Sequence, residues 1–230
     1  RCVRMPRVVR VATFSPGDLF GARYRLEDVA PGVGLGEVWS ALDLDRDRQA
    51  VLVKLLAPLP EAPEGAESFA ELTERLQRID DPGLPYILAA QESNERAWVV
   101  YERVEGRSLD NWLAGHRKAR TAPGLTAVQR IFDQVATTLQ MGHELPTRPV
   151  AHGTFSAKSV RVSPAPGGRH ALKVFDLGLG PWLYADSTGP EVEESYRAPE
   201  VGPDGAATSV RGDVFAMGAL LAEMLAPGEL

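Results

Sequence analysis

The stretch Ala50-Val51-Leu52-Val53-Lys54-Leu55-Leu56 decides the fold. Its β-branched apolar run reads as a strand, and one lysine interrupts it. Taken alone, Lys54 is as readily a surface residue as a functional one. Before it, Tyr24–Val29 and Glu37–Leu44 have the same strand character. After it, Ile87–Gln91 and Ala97–Glu102 flank the polar turn Glu92-Ser93-Asn94-Glu95. Between these pairs, Pro58, Pro60, Pro63 and Gly65 break the chain. Phe69, Leu72, Leu76 and Ile79 then recur at helical spacing and predict a helix over 67–79. The expectation is a lobe of five strands and one helix, ending near Gly106.

Beyond that lobe the pattern turns helical. Ser108 is placed to cap a helix reaching His116, and Thr126 to cap a longer one with Val128, Ile131, Phe132, Val135 and Leu139 on one face. Short strands at Val160–Val162 and Leu172–Phe175 flank Pro164-Ala165-Pro166-Gly167-Gly168. Residues 176–200 read as a loop, and Val214–Leu225 as a closing apolar helix. Residues 1–20 read as a tail with a β-prone segment, Val8–Ala12.

Bulk properties exclude several functions. With 230 residues and 44% hydrophobic content the chain can bury a sizeable core. A net charge of −6 argues against a nucleic-acid partner, and Arg1, Arg4, Arg7 and Arg10 read as a solvated arm. Cys2 is the only cysteine, so no disulfide framework forms within the chain and a reducing cytosol is expected. No run of about 18 apolar residues exists to span a membrane. The first residue is arginine, and only four of the 25 basic residues are lysine. Those two facts set the expectation of a piece of a longer protein from a GC-rich bacterium.

Four islands carry chemistry: Val51-Leu52-Val53-Lys54, Ala151-His152-Gly153-Thr154, Asp176-Leu177-Gly178 and Arg197-Ala198-Pro199-Glu200. In order and spacing they resemble the ATP-phosphate lysine, catalytic loop, magnesium loop and Ala-Pro-Glu signature of protein kinases, of the bacterial Ser/Thr type. The resemblance runs from about Tyr24 to Leu225. It implies an α+β, two-lobed kinase-like fold: a tail over 1–20, a five-stranded antiparallel N-lobe with one helix over 21–105, and a partial, mainly helical C-lobe over 106–230. That C-lobe is expected to stop after the helix the family calls αF.

The resemblance assigns a vestigial ATP site to Lys54, Asp176, Gly34, Gly36 and Val38. It puts Pro31 and Val33 where the family's first two loop glycines belong, and Gly32 and Gly34 one residue off. It also locates the departures. Thr154 stands where the catalytic aspartate would be, Ser159 where the metal-binding asparagine would be, and Leu72 where a helix glutamate would pair with the lysine. Glu71 is its neighbour, about 100° round the helix. Gly153 replaces an arginine and Ser156 a lysine. Leu52, Arg161 and the large Tyr101 crowd the adenine slot. Leu76, Ile87, His152 and Leu177 match the stacked residues joining the lobes, Asp213 the aspartate holding the catalytic loop, and Glu200 half of an ion pair.

The functional expectation is a pseudokinase: no enzyme, no metal site, no resident cofactor, and at most weak binding of ATP and magnesium. It would act in the cytoplasm as a regulatory or scaffold module for another protein. The alternatives are a kinase of weak or unconventional activity, and a nucleotide-binding switch without turnover.

Overall fold

The computed structural model describes residues 14–30, 33–57, 67–93, 96–165, 169–185, 194–202 and 208–227. The β-prone segment 8–12, Pro31, Gly32 and the breaker prolines 58, 60 and 63 lie outside them.

One antiparallel sheet forms the N-terminal lobe. Its strands are β1 (Leu19–Phe20), β2 (Tyr24–Val29), β3 (Glu37–Asp43), β4 (Gln49–Leu56), β5 (Ile87–Glu92) and β6 (Ala97–Glu102), ordered β1-β2-β3-β4-β6-β5. All five expected strands are present, and a sixth, β1, pairs with β2. The tail expected over 1–20 is therefore corrected at its end. Phe14 and Phe20 stack edge-on at 5.6 Å, and Phe20 meets Trp98 at 5.6 Å, covering the outer face of the sheet. Burial of these rings recruits residues whose two-residue strand carries no readable period.

Alternation along β4 divides its side chains between two cores. Val51, Val53 and Leu55 face outward, with Leu26, Trp39 and Val100. Leu52 and Leu56 face inward, toward the second lobe. A period of two puts Lys54 on that same inner face, where its side chain is fully buried.

Helix α1 (Phe69–Gln77) packs beside β5 and starts on a reciprocal cap. Ser68 Oγ accepts from Glu71 N at 3.3 Å, and the Glu71 carboxylate accepts from Ser68 N at 2.9 Å. Its inner face buries Phe69, Leu72 and Leu76.

The second lobe holds a small sheet, β7 (Arg107–Ser108), β8 (Val160–Ala165) and β9 (Arg169–Val174), with helices α2 (Leu109–Ala119), α3 (Leu125–His143), α4 (Gly180–Ala185) and α5 (Val210–Leu225). Ser108 caps α2 as expected. Thr126 does not cap α3: Gly124 takes that position and Thr126 lies in the first turn. The expected loop over 176–200 contains α4 and a 3-10 turn at Glu194–Tyr196. Gly180-Pro181 reads as a breaker, yet proline is tolerated in a first helical turn, where its missing N–H has no partner to lose. Helix α5 begins four residues earlier than expected, capped by Ser209, so Asp213 lies in its first turn. Among the described residues no helix is long and apolar enough to cross a membrane.

Ser68→Ala removes the cap of α1 and should lower stability by about 1 kcal/mol. A lower urea midpoint at unchanged slope would register the loss; an unmoved midpoint would mean that packing alone fixes this helix end.

Candidate functional site

Four segments meet between the lobes: the inner face of β4, the loop Val33–Gly36 between β2 and β3, the chain leaving β9, and the segment joining α3 to β8. Lys54 Nζ lies 2.6 Å from Asp176 Oδ2, and neither side chain is exposed to solvent. The same oxygen accepts from Leu35 N at 3.2 Å, and Val33 O stands 3.5 Å from Lys54 Nζ. Gly34 N donates to Lys158 O at 3.0 Å, tying the loop to the second lobe. Burial pulls the Lys54 ammonium pKa below its ordinary value, and Asp176 opposes that pull. A buried charge of either sign needs its partner here, since desolvation penalises each ion alone.

The expected vestigial site is thus brought together, around a different partner. Gly34 touches Asp176, Val38 lies opposite Lys54 in the β3–β4 register, and Gly36 faces Leu183 of α4. No glutamate of α1 serves the lysine. Leu72 is buried, with Cδ1 3.1 Å from where a Cβ on Gly178 would stand, so it covers the Asp176–Gly178 turn. Glu71 remains in its cap with Ser68, directed away from Lys54. Asp176 adopts φ +69°, a left-handed conformation that aspartate visits more readily than most residues.

Below this pair, Asp213 organises the α3–β8 segment. It accepts from His152 N at 2.7 Å, from Gly153 N at 2.9 Å and from His143 Nε2 at 2.7 Å. His152 Nε2–H donates to Phe175 O at 2.8 Å, while its Nδ1 accepts from Thr154 N at 3.4 Å. Burial holds the His152 imidazole pKa down, so it stays neutral in this network. Thr154 and Ser159 are buried, and neither hydroxyl oxygen has a hydrogen-bond partner among the described residues. Asp176 Oδ1 has none either.

Around the adenine position, Leu52 and Tyr101 are buried. Tyr101 packs edge-on against Phe175 at 5.2 Å, and burial, with the Asp176 charge added, raises its hydroxyl pKa well above the ordinary value. Arg161 Nη2 donates to Gly106 O at 2.8 Å, so its guanidinium lies against the connection between the lobes. Of the four stacked positions, Leu76, Ile87 and Leu177 line one recess with Tyr101. His152 joins them through the Phe175 carbonyl.

Two contributions went unread in the sequence. Trp182 of α4 meets Phe69 of α1 at 5.2 Å and donates from Nε1 to Glu92 at 2.8 Å, so α4 fills the space beside α1. Glu200 is exposed, while Glu223 of α5 is a further buried carboxylate. It accepts from Tyr196 OH and pairs with Arg117 at 2.5 Å. A single acid within the apolar run Val214–Leu225 was the available signal.

Solved structures show the class. The kinase domain of Mycobacterium tuberculosis PknI superposes with a TM-score of 0.69 at 20% identity, over 93% of this chain and 78% of that one. The fold is that of protein kinases. The chain belongs to the protein tyrosine and serine/threonine kinase family, whose model matches residues 31–230. The serine/threonine-protein kinases PknJ of Mycobacterium tuberculosis and PrkC of Bacillus subtilis are 26% and 22% identical over 92% and 91% of this chain. This chain spans 35% and 31% of their lengths. A probable inactive receptor kinase of Arabidopsis thaliana, RLK902, is 28% identical over 76% of this chain and 26% of its own length.

His152 predicts a pH dependence. Its folded pKa lies below the ordinary value of 6.5, so the unfolded chain takes up a proton that the folded chain refuses. Stability should fall as pH drops below about 6.5 and level off beneath the folded pKa. His152→Asn should flatten that fall in denaturation curves taken from pH 7.5 to 5; an unchanged slope would clear His152 of the effect.

Proposed function

We propose that the chain is a catalytically inactive kinase-like domain, a pseudokinase, serving as a cytosolic regulatory or scaffold module that binds another protein. The observation that carries the reading is the buried Lys54–Asp176 pair. In the family's chemistry the lysine holds ATP phosphates and the aspartate holds magnesium. Here each charge neutralises the other at 2.6 Å.

The base position supports the same conclusion. A threonine hydroxyl has no pKa near neutrality with which to accept a proton, and a positioned base contributes roughly 10²–10⁴ in rate. Thr154 stands at that position, buried. The glutamate that would hold Lys54 toward a nucleotide is replaced by Leu72, which seals the turn instead.

Magnesium with ATP fits this set of donors poorly. Magnesium favours hard oxygen ligands in near-octahedral array, usually with carboxylates. The positions offered are Asp176, already neutralised, and the Ser159 hydroxyl. What remains well built is packing between the lobes, which suits a domain kept for its shape. The relative RLK902 bears the description "probable inactive", whereas PknJ and PrkC are described as kinases.

Labelled ATP with magnesium and casein as acceptor should give no phosphate transfer above that of Lys54→Met. Transfer by the parent chain that this substitution abolishes would overturn the reading. Lys54→Met should also cost about 3–5 kcal/mol of stability, because it strands a buried carboxylate.

A further inference from the structure

We propose that the loop Val33–Gly36 is an autoinhibitory latch: a built-in occupant of the space where a polyphosphate would lie, governing access to it. The proposal deepens the reading of a closed site and rests on it.

A glycine-rich turn with successive N–H groups is a natural anion cradle. In this chain those donors are consumed internally, Gly34 N by Lys158 O at 3.0 Å and Leu35 N by Asp176 at 3.2 Å. The loop carbonyl of Val33 takes a further place beside Lys54. Both the cation and the amides that would meet an anion are therefore turned on the protein itself.

Apolar side chains complete the closure. Val33 and Leu35 are only 1% and 3% exposed, packed into the core between the lobes. A loop tip left open to admit ligand has no reason to bury two aliphatic residues there. Behind it, Leu183 of α4 sits 3.5 Å from the Cβ position of Gly36.

Gly34 makes the closure feasible. Its φ is +68°, and a Cβ there would stand 1.8 Å from Asp176 Oδ2. No other residue fits at this position while the carboxylate stays on Lys54. Lifting would break the Gly34 and Leu35 amide hydrogen bonds and expose Val33 and Leu35, while β2 and β3 stay paired up to Val29 and Trp39, so the sheet need not unzip.

Amide exchange followed by NMR tests the latch. In the parent chain the Gly34 and Leu35 amides should exchange ~100-fold or more slowly than unstructured peptide. Gly34→Ala should release them, leave the β4 and β6 amides protected, and tighten binding of metal-free ATP by about tenfold or more. Leu35→Ser, which removes an apolar anchor without touching the backbone, should act in the same direction and serves if the first variant does not fold. Loop amides exchanging freely in the parent chain would overturn the latch. So would opened variants that gain no affinity for ATP. Phosphate transfer is read in parallel samples of the same variants with magnesium added. ATP binding without transfer supports both proposals, whereas transfer by an opened variant sinks the inactive-kinase reading and leaves the latch standing.

Discussion

A single carboxylate oxygen, Asp176 Oδ2, accepts from both Lys54 Nζ and the Leu35 amide. Three parts of the chain, brought from both lobes, converge on that atom in the buried interior. Two ions so placed are costly apart and tolerable only together. The pair thus constrains β4, the glycine loop and the exit of β9 to one relative arrangement. Leu72 and Tyr101 close over it with apolar surface, and α4 backs the loop. Such closure favours a domain that holds shape over one that cycles through substrate entry and product release.

The lower half of the site follows the same economy of anchors. Asp213 holds two backbone amides and one imidazole, keeping the segment around Thr154 in place although an unionisable hydroxyl stands there. Glu223 links Tyr196 to Arg117, and Arg117 in turn meets Asp110, so α2, α5 and the segment before α5 share one network. These are polar groups devoted to architecture.

Much of the frame was legible in residues because periodicity is a direct consequence of geometry. Alternation in Gln49–Leu56 leaves only two faces and groups Lys54 with Leu52 and Leu56, but with apolar residues on both it does not say which face is inner. The spacing of Phe69, Leu72 and Leu76 announces the buried face of α1. Where period was absent, reading failed: β1 is too short to have one, and Gly180-Pro181 disguised a helical start. The cap of α3 was misplaced because Gly124 caps through backbone conformation alone. The site was legible by resemblance in its membership but not in its pairing. Lys54 and Asp176 lie 122 residues apart, and nothing in either neighbourhood states that they neutralise each other. The nearest hint was negative, a leucine where the lysine's usual acidic partner belongs.

The most direct test is an experimental structure of the chain crystallised with saturating ATP and magnesium. The account predicts Lys54 still in hydrogen-bond contact with Asp176 and Leu35 still seated between the lobes. Magnesium bound to Asp176, with Lys54 swung onto a phosphate and an acidic side chain at the acceptor position, would contradict it.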